Sequence, residues 1–265
     1  MQQNNNYQNK NFQENKLKDP GMFLSSTKMD KIKAIAAERE TNLKQLCPGL
    51  TLEQAELMVG GLLGDLNLQT ASKTAGTWRA RFLQGKKQAE YLDWKYDLVQ
   101  SMCGTDPKPS SYFDERTQKT YHRSYFNTLT RPELIPLGKL FYVWDDKQNK
   151  ACKVVPDAIQ DILTPGVIAI WFQDDGSLKW EGRSNSVRFS TDSFSDEELE
   201  KLIRSLAAYG IKATTQSKRK NSCVLATSED SYGPLYFMLK DRLLPLFYYK
   251  FPNGSYGTLQ DDMSS

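Results

Sequence analysis

The sequence is poor in the residues that build many catalytic centres. It has one histidine, four cysteines and no long apolar run. One histidine, His122, excludes zinc sites that need two histidines and histidine-rich nuclease centres. A Ser-His-acid triad would have to use His122, and nothing resembling a nucleophile elbow accompanies it. Its setting in TYHRSYF predicts a polar residue of a strand.

The cysteines and the hydropathy limit the compartment. The four cysteines stand far apart, without metal-ligand spacing, at Cys47, Cys103, Cys152 and Cys223. We therefore expect free thiols in a reducing compartment rather than a zinc site or a disulfide framework. No stretch is apolar for long enough to span a membrane, and the N-terminus lacks the apolar core of a signal peptide. These features predict a soluble, intracellular protein without a membrane partner.

The length of 265 residues permits one large domain or two smaller ones. The first two dozen residues are rich in Asn and Gln and are predicted to be disordered, whereas Lys28–Leu46 is predicted to form one helix. We therefore predict an N-terminal extension over residues 1–48 and a flexible tail over residues 253–265. The net charge of +3 permits nucleic-acid binding without requiring it.

Two short segments are alike, and each ends in an acid. They are MVGGLLGDL at 58–66 and IAIWFQDDG at 168–176, and Asp65 aligns with Asp175, 110 positions later. Each is an apolar stretch with small residues inside it and a carboxylate at its C-terminal end. This pattern predicts two helices that pack together and bring two carboxylates to one point. Two such carboxylates can hold divalent metal, and metal held in this way can cut a phosphodiester.

The small residues of these segments support close helix packing. Gly60, Gly61 and Gly64 each weaken a helix by about 1 kcal/mol relative to alanine. They make sense where another helix backbone approaches, and Ala169 is expected to serve the same seam on the second helix. An acid at a helix C-terminus is slightly unfavourable because the helix dipole is negative there. Two acids in matching positions therefore need an offsetting cause, which a metal ion would supply.

The order of predicted elements also repeats. Each half reads helix, hairpin, helix, hairpin, helix, with the first half at 49–145, a linker at 146–163 and the second half at 164–252. The predicted fold class is α+β, with two pseudo-symmetric αββαββα halves and antiparallel sheets. The predicted helices are 52–64, 86–102, 134–144, 164–174, 196–209 and 233–247, and the predicted strands are 67–71, 77–83, 111–113, 120–127, 178–181, 186–191, 212–217 and 223–227.

Capping signals fix three helix ends. Thr51 and Ser195 are predicted N-caps, with Gln54 and Glu198 as their capping-box partners. Gly210 is predicted to end the helix that begins after Ser195, in the left-handed conformation.

The hairpins alternate in a way that suits a nucleic-acid interface. In TWRARFL the aromatic and alanine residues share one face, and Arg79 and Arg81 lie on the other. SVRFST alternates likewise, with Arg188 on the polar face. Two such sheets would form a saddle in the major groove of DNA. The alternative is an ordinary solvated sheet face, which is polar in any antiparallel protein. The basic residues predicted to contact DNA are Arg79, Arg81, Arg123, Lys179, Arg183, Arg188, Lys218, Arg219 and Lys220.

Over about Leu50–Pro252 the chain resembles the LAGLIDADG homing endonucleases in their single-chain, two-repeat form. WFQDDGSL is similar to the second motif of the monomeric intron-homing subgroup. Lys153 in KVVP and Lys250 in YYKFP match two further lysines of that subgroup. The resemblance places LAGLIDADG helices at the seam between the two halves.

The resemblance implies a monomer that makes a double-strand break in a long asymmetric site of double-stranded DNA. Asp65 and Asp175 would share Mg²⁺, with Mn²⁺ as a substitute, and Asp174 would support the site without binding metal. Lys153 and Lys250 would position water or stabilise charge, with phosphate-contacting or solvated lysines as the alternative.

One departure from the family pattern and two rival functions accompany this interpretation. The residue after the first acid is usually small, but here it is Leu66, so the half built on Asp65 is expected to be the weaker one. The rivals are an intron maturase that binds intron RNA and a DNA-binding regulator that does not cleave. The Asn/Gln/Lys-rich start points to an AT-rich genome, such as that of a mitochondrion or chloroplast, and leaves the compartment open.

Overall fold

The computed structural model describes residues 24–181, 183–219 and 222–252. The disorder predicted for the first residues, the DNA contact predicted for Lys220 and the tail predicted at 253–265 lie outside these ranges. Within them, the helix predicted at 28–46 is confirmed as α1 (Ser26–Leu46), and its N-cap Ser25 accepts a hydrogen bond from the Lys28 N–H.

The elements follow the chain in the predicted alternation of helices and hairpins. The helices of the described residues are α1 (Ser26–Leu46), α2 (Leu52–Leu63), α3 (Ala89–Val99), α4 (Ile135–Phe141), α5 (Ile159–Ile162), α6 (Pro165–Asp175), α7 (Asp196–Ala207) and α8 (Tyr232–Leu239). The strands are β1 (Asn67–Gln69), β2 (Arg79–Gly85), β3 (Lys108–Asp114), β4 (Lys119–Asn127), β5 (Tyr142–Asp145), β6 (Lys150–Lys153), β7 (Gly176–Leu178), β8 (Val187–Ser190), β9 (Ala213–Arg219) and β10 (Ser222–Thr227). Short 3₁₀-helices flank α3, and a longer one covers Pro245–Lys250.

The helix ends are set by the predicted caps. Both capping boxes are present, with Thr51 and Gln54 at the start of α2 and Ser195 and Glu198 at the start of α7. Gly210 has φ +80°, the left-handed conformation that glycine adopts without strain.

The two larger sheets have the same topology. Their strand orders are β1-β2-β4-β3 and β7-β8-β10-β9, with antiparallel pairing throughout. In both sheets the first strand starts within two residues of a repeated acid, since β1 follows Asp65 and β7 follows Asp175. The sequence repeat is therefore a structural repeat, and each acid lies where its sheet begins.

Two predicted helices are too long. The helix predicted at 134–144 ends at Phe141, and the chain continues into the hairpin β5–β6. Strand β5 ends the predicted first half, whereas β6 and α5 lie in the predicted linker. LFYVW is a short apolar run that suits helix or strand equally by pattern. The helix predicted at 233–247 ends at Leu239, because the chain turns and Leu244 before Pro245 is extended. The strand predicted at 178–181 shares only Leu178 with the observed strand, because β7 begins at Gly176 and ends at Leu178.

The core lies between the helices and one face of each sheet. Ala80 and Phe82 in β2 and Val187 and Phe189 in β8 are at most 2% exposed, as the alternation predicts. The Phe189 ring lies 4.2 Å from that of Trp171 in α6. Burying one such side chain contributes about 1.5–3 kcal/mol, so these contacts fix each sheet on the helices.

Helix α1 connects parts of the chain that are far apart in sequence. Arg39 is 6% exposed and donates hydrogen bonds from Nη1 to the carbonyl oxygens of Leu163 and Ser205, both at 3.1 Å. Its guanidinium also lies 4.6 Å from the centroid of the Tyr209 ring. The extension is therefore part of the folded structure from Ser26 onward. None of the helices in the described ranges combines the length and apolar character that a bilayer crossing requires.

Candidate active site

The seam between α2 and α6 depends on Gly60 in α2 and on Gly64, the C-cap of that helix. A Cβ built on Gly60 would lie 2.6 Å from Ile170 Cβ and 2.7 Å from the carbonyl oxygen of Val167. A Cβ built on Gly64 would lie 2.6 Å from Asp174 Cβ. At these two positions the main chain at the end of α2 therefore lies directly against α6, with no room for a methyl group between them. Ala169 is buried in α6, at 1% exposure.

Gly61 has a different neighbour from the one predicted. The three atoms nearest to a Cβ built on Gly61 all belong to Leu66, the closest at 2.9 Å. Leu66 is 1% exposed, and its N–H donates to the Gly61 carbonyl oxygen at 2.8 Å. Gly61 therefore makes room for the bulky residue after the first acid instead of serving the seam. This contact accommodates the departure that Leu66 makes from the family pattern.

The repeated acids stand at the C-terminal ends of the two seam helices. Asp65 follows Gly64, the C-cap of α2, and Asp175 is the last residue of α6. Gln84 in β2 donates from Nε2 to Asp65 Oδ2 at 3.0 Å and is only 4% exposed. Sequence reasoning did not single out Gln84, although its position on the apolar face of an alternating strand was a usable signal.

A lysine binds the main chain beside each acid. Lys153 Nζ donates to the carbonyl oxygens of the two residues that flank Asp65, at 3.1 and 2.7 Å. Lys250 Nζ donates to the carbonyl oxygens of the two residues before Asp175, at 2.6 and 3.2 Å. A cation at a helix C-terminus stabilises the negative end of the dipole. The lysines thus offset part of the cost of placing an acid at the C-terminal end of each helix. From the sequence, only a metal ion was predicted to offset that cost.

The electrostatics of the site favour a bound cation. Burial, followed by the charges of Asp65 and Asp174, raises the pKa of Asp175 to about 7 from an ordinary value of 3.8. Burial and the Asp174 charge also raise the pKa of Asp65. Burial lowers the pKa of Lys153 and of Lys250, and the neighbouring acids offset that effect in part. The three acids of the site are matched in formal charge by Lys95, Lys153 and Lys250, but burial still disfavours the charged form of Asp65 and Asp175, and a divalent ion bound to them would offset that cost.

The donor set suits a hard divalent ion. Within the described ranges no three His, Cys, Asp or Glu side chains cluster as metal ligands, so the protein offers Asp65 and Asp175 and little more. Mg²⁺ is commonly bound by one or two carboxylates together with waters and substrate phosphates. Asp174 is turned inward, and both of its carboxylate oxygens have protein partners.

Asp175→Asn is expected to stabilise the metal-free protein at pH 8. A carboxyl whose folded pKa is raised costs stability once pH exceeds its unfolded value, and the full cost is present above about 7. Because Asp175 is partly exposed, we expect a gain of about 1–2 kcal/mol and a rise in Tm of about 2–6 °C. Thermal unfolding in EDTA should show the gain shrinking toward pH 4.5. Glu197→Gln, an exposed acid in the first turn of α7, is the control; an equal gain there would contradict the assignment.

The strand register defines the face of the first sheet that lies opposite the helices. It confirms that Arg79, Arg81 and Arg123 share this face. Arg81 lies 5.4 Å from the Tyr125 ring and Arg123 lies 4.5 Å from the Tyr112 ring. Residues of the same face that sequence reasoning missed are Asn67, Gln69, Lys108, Ser110, Tyr112, Tyr121, Tyr125 and Asn127.

The second sheet repeats the arrangement with fewer charges. Arg188 pairs with Ser177 across β7–β8, and the Lys179 N–H extends the ladder to the Ser186 carbonyl oxygen at 3.0 Å. Arg183 is exposed in the β7–β8 connection, outside the paired strands. Lys218 and Arg219 belong to β9, but their side chains lie outside the described part of the structure.

Some polar atoms of these faces are buried without a protein partner. Within the described ranges they include Arg123 Nε, Arg188 Nε and Asn127 Oδ1. A buried donor or acceptor that lacks a partner costs about 1–3 kcal/mol, so such atoms suit a site that a polar ligand completes. Arg123 and Asn127 belong to β4 of the first sheet, and Arg188 belongs to β8 of the second.

A cleft of about 650 Å³ separates the first sheet from the linker hairpin. Gln69 and Arg79 line one side, with Arg79 Nε donating to Gln69 Oε1 at 3.1 Å. Trp144 and Lys150 of the hairpin line the other side. Tyr142 anchors the hairpin because its hydroxyl accepts a hydrogen bond from the Leu68 N–H at 2.8 Å. The polar face therefore continues from β1 onto the linker.

Fold and site together define a two-repeat α+β protein. Each repeat brings one carboxylate to the seam between α2 and α6, at the point where the sheet of that repeat begins. The chain belongs to the LAGLIDADG DNA endonuclease family, whose model matches residues 55–234, more than half of the sequence. The resemblance and the fold class predicted from the sequence are thereby confirmed.

Individual relatives agree with this assignment. The chain is 38% identical over 219 residues to the DNA endonuclease I-ChuI of Chlamydomonas applanata, covering 79% of this chain and 99% of that protein. It is 27% identical over 208 residues to the cytochrome b mRNA maturase bI2 of Debaryomyces hansenii, covering 77% of this chain and 75% of that protein. The homing endonuclease I-WcaI bound to its DNA recognition sequence matches with a TM-score of 0.67 and 19% identity, covering 79% of this chain and 90% of that one. This last likeness shows the fold.

Proposed function

We propose that this protein is a site-specific DNA endonuclease that makes a double-strand break in a long asymmetric target by Mg²⁺-dependent phosphodiester hydrolysis. The observation that carries the proposal is the pairing of Asp65 and Asp175 at the ends of the two seam helices, each with a half-buried lysine on the adjoining main chain. Two carboxylates at one seam, each with its pKa raised by burial, suit the binding of a divalent ion, and two halves suit two DNA strands. The halves are taken as residues 49–145 and 164–252, joined by the linker at 146–163.

Asp65 and Asp175 are the residues that would hold Mg²⁺, with Mn²⁺ as a substitute. The bound ion would activate water for attack and stabilise the departing oxygen of the scissile phosphate. The carboxylate of Asp65 is oriented by Gln84, which fixes one of its two oxygens and leaves the other for a ligand. The carboxylate of Asp175 accepts no hydrogen bond from the described residues that would compete with a metal ion.

Lys153 and Lys250 act on the same centre from two sides. Each lysine donates hydrogen bonds to two main-chain carbonyl oxygens, and these bonds fix its ammonium group next to an acid. A half-buried ammonium held in this way would stabilise negative charge that develops on the phosphate in the transition state. The alternative role is that each lysine contacts a DNA phosphate from the same position. A phosphate contact would form when DNA binds, whereas charge stabilisation would act only in the transition state.

The open faces of the two sheets are the proposed DNA interface, and the β5–β6 hairpin extends it through Trp144 and Lys150. Basic residues supply phosphate affinity, whereas Arg and Asn side chains can read base edges in the major groove. Arg123 and Arg188, both half-buried, would supply guanidinium donors to DNA from the first and the second sheet. One chain contributes both acids and both sheets, so a monomer suffices for the activity.

Arg188→Ala is expected to weaken binding to the cognate target by about 1–3 kcal/mol and to relax base preference at one position. The reason is the loss of a guanidinium aimed at a base edge. Binding titrations against targets with single substitutions would measure this effect. Arg204→Ala, which removes an exposed arginine paired with Glu200 on α7, is the matched control and should leave binding unchanged. An equal loss of affinity for every sequence would assign Arg188 to a phosphate.

Intron homing gives this activity a context. The Asn/Gln/Lys-rich N-terminus suits an AT-rich coding genome such as that of an organelle, and in that setting the target would be the intron-less allele of the host gene. The flanking genomic sequence would reveal that target directly.

A maturase function is the second candidate, because a cytochrome b mRNA maturase is 27% identical over three quarters of both chains. A plasmid-library cleavage assay in Mg²⁺, run beside a splicing assay on the host intron RNA, separates the candidates. Cleavage of one plasmid site supports the endonuclease. Splicing without cleavage would replace it with the maturase, and DNA binding without either would replace it with a regulator.

A further inference from the structure

A buried ion pair lies behind the first acid. Lys95 Nζ in α3 is 2.7 Å from Asp174 Oδ1 in α6, and the two side chains are 2% and 0% exposed. The ammonium also lies 4.0 Å from the centroid of the buried Tyr91 ring. Burying a charge pair is expensive, and an apolar pair of similar volume is often at least as stable. The stability of the fold therefore does not by itself explain this pair.

The second oxygen of Asp174 identifies what the pair holds. Asp174 Oδ2 accepts a hydrogen bond from the main-chain N–H of Asp65 at 3.2 Å. The carboxylate reaches that N–H through the space that Gly64 leaves, since a Cβ on Gly64 would lie 2.7 Å from Asp174 Oδ2. A connected chain of contacts thus runs from Lys95 through Asp174 to the backbone of Asp65. The Asp65 side chain is oriented separately, by Gln84.

The arrangement has no equivalent at the matching position of the first motif. Asp174 aligns with Gly64, 110 positions earlier, which has no side chain. The main chain of Asp65 therefore has a carboxylate support from the opposite helix, whereas Gly64 offers no such support to Asp175. The two otherwise matched halves of the site differ at this point.

We propose that Lys95 and Asp174 are positioning residues that fix the main chain of Asp65 and so govern cleavage of the DNA strand that Asp65 serves. The inference rests on the proposed function. A displacement of about 1 Å at a catalytic group can cost about 100-fold in rate, so a support that acts on one acid should affect one strand. Its loss should leave the strand served by Asp175 largely unaffected.

The double variant Lys95→Met/Asp174→Leu separates positioning from stability. It replaces the ion pair with apolar side chains of similar size, which should preserve folding, but it removes the acceptor for the Asp65 N–H. Single-turnover cleavage of a target labelled on each strand is the assay. We expect one strand to be cut about 10–100-fold more slowly and the other within about 3-fold of wild type, so that nicked duplex accumulates.

The matched control is Arg204→Met/Glu200→Leu, which removes an exposed ion pair on α7 and should change neither strand. Wild-type rates on both strands in the Lys95/Asp174 double variant, or an equal slowing of both, would overturn the proposal. A variant that unfolds would be recognised from its Tm, and the smaller double variant Lys95→Met/Asp174→Ala, which also leaves no unpaired charge, would then be tested for the same strand bias.

The failure of the proposed function would be visible separately. If the wild-type protein cuts neither strand, the endonuclease proposal fails, and Mn²⁺ binding by calorimetry tests the pair on its own. We then expect the double variant to bind Mn²⁺ at least about 10-fold more weakly than wild type, because one of the two ligands has lost its support. Unchanged Mn²⁺ affinity would overturn the positioning role.

Discussion

Asp175→Asn is expected to lower Mg²⁺-dependent DNA cleavage by at least about 100-fold while leaving DNA affinity within about 3-fold of wild type. The amide keeps the shape of the side chain and its place at the end of α6, but it removes the negative charge that would hold the metal. Burial first, and then the charges of Asp65 and Asp174, raise the pKa of this carboxyl to about 7, so a bound cation would favour its charged form. Single-turnover cleavage and a binding titration in Ca²⁺ would measure the two quantities.

The control for this variant is Glu197→Gln, which removes the same charge from an exposed position on α7. It should cleave at the wild-type rate. Cleavage by Asp175→Asn at the wild-type rate would show that the acid is not a metal ligand. A parallel loss of DNA affinity would instead point to a defect in folding or in the saddle.

Gly60→Ala is expected to destabilise the protein by about 2 kcal/mol or more, which corresponds to a fall in Tm of about 4–8 °C. The added methyl would lie 2.6 Å from Ile170 Cβ and 2.7 Å from a backbone oxygen, and a backbone cannot move aside as a flexible side chain can. The gain of about 1 kcal/mol in helix propensity offsets only part of this cost. The seam must open, and the two acids must separate with it.

Gly85→Ala is the matched control, because a Cβ there would meet nothing within 4 Å and its φ of −65° suits any residue. Thermal unfolding of the two variants should therefore differ by several degrees. If Gly60→Ala is as stable as Gly85→Ala, the helices do not pack at the distance described, and the convergence of the acids loses its support.

Signals within short stretches of sequence predicted most of the fold. The capping boxes at Thr51 and Ser195 and the glycine stop at Gly210 depend on residues a few positions apart, and all three are present. The alternation of β2 and β8 likewise predicted which side chains are buried. The architecture of two matching halves was predicted from the repeated acidic segments. These segments are 110 positions apart, so no signal within a short stretch of sequence contains that information.

The errors have physical causes of their own. The predicted helix extends over most of β5 because a short apolar run has no decisive period, and only pairing with β6 determines its conformation. Gly61 was placed at the seam because glycines look alike in sequence, whereas its contact with Leu66 depends on how the chain turns after α2. Leu66 gave a reason to expect a weaker first half, and that expectation stays a prediction.

The parts of the site that the sequence did not predict are contacts between residues far apart in the chain. Lys95 and Asp174 are 79 positions apart, and a lysine on an amphipathic helix ordinarily faces solvent. Lys153 and Lys250 were found through family resemblance alone, because nothing in their local sequence predicts hydrogen bonds to helix-end carbonyls. Sequence therefore indicated the acids of the site, and the structure supplied the residues that hold them.

The most direct test of the central claim is the position of metal in crystals of the protein with its DNA target and Mn²⁺. Anomalous scattering should place at least one ion at the α2–α6 seam, within about 2.5 Å of an oxygen of Asp65 or Asp175 and of a phosphate oxygen. An ion bound elsewhere, or DNA bound at the saddle with no ion near either acid, would contradict the claim that these two carboxylates form the catalytic centre.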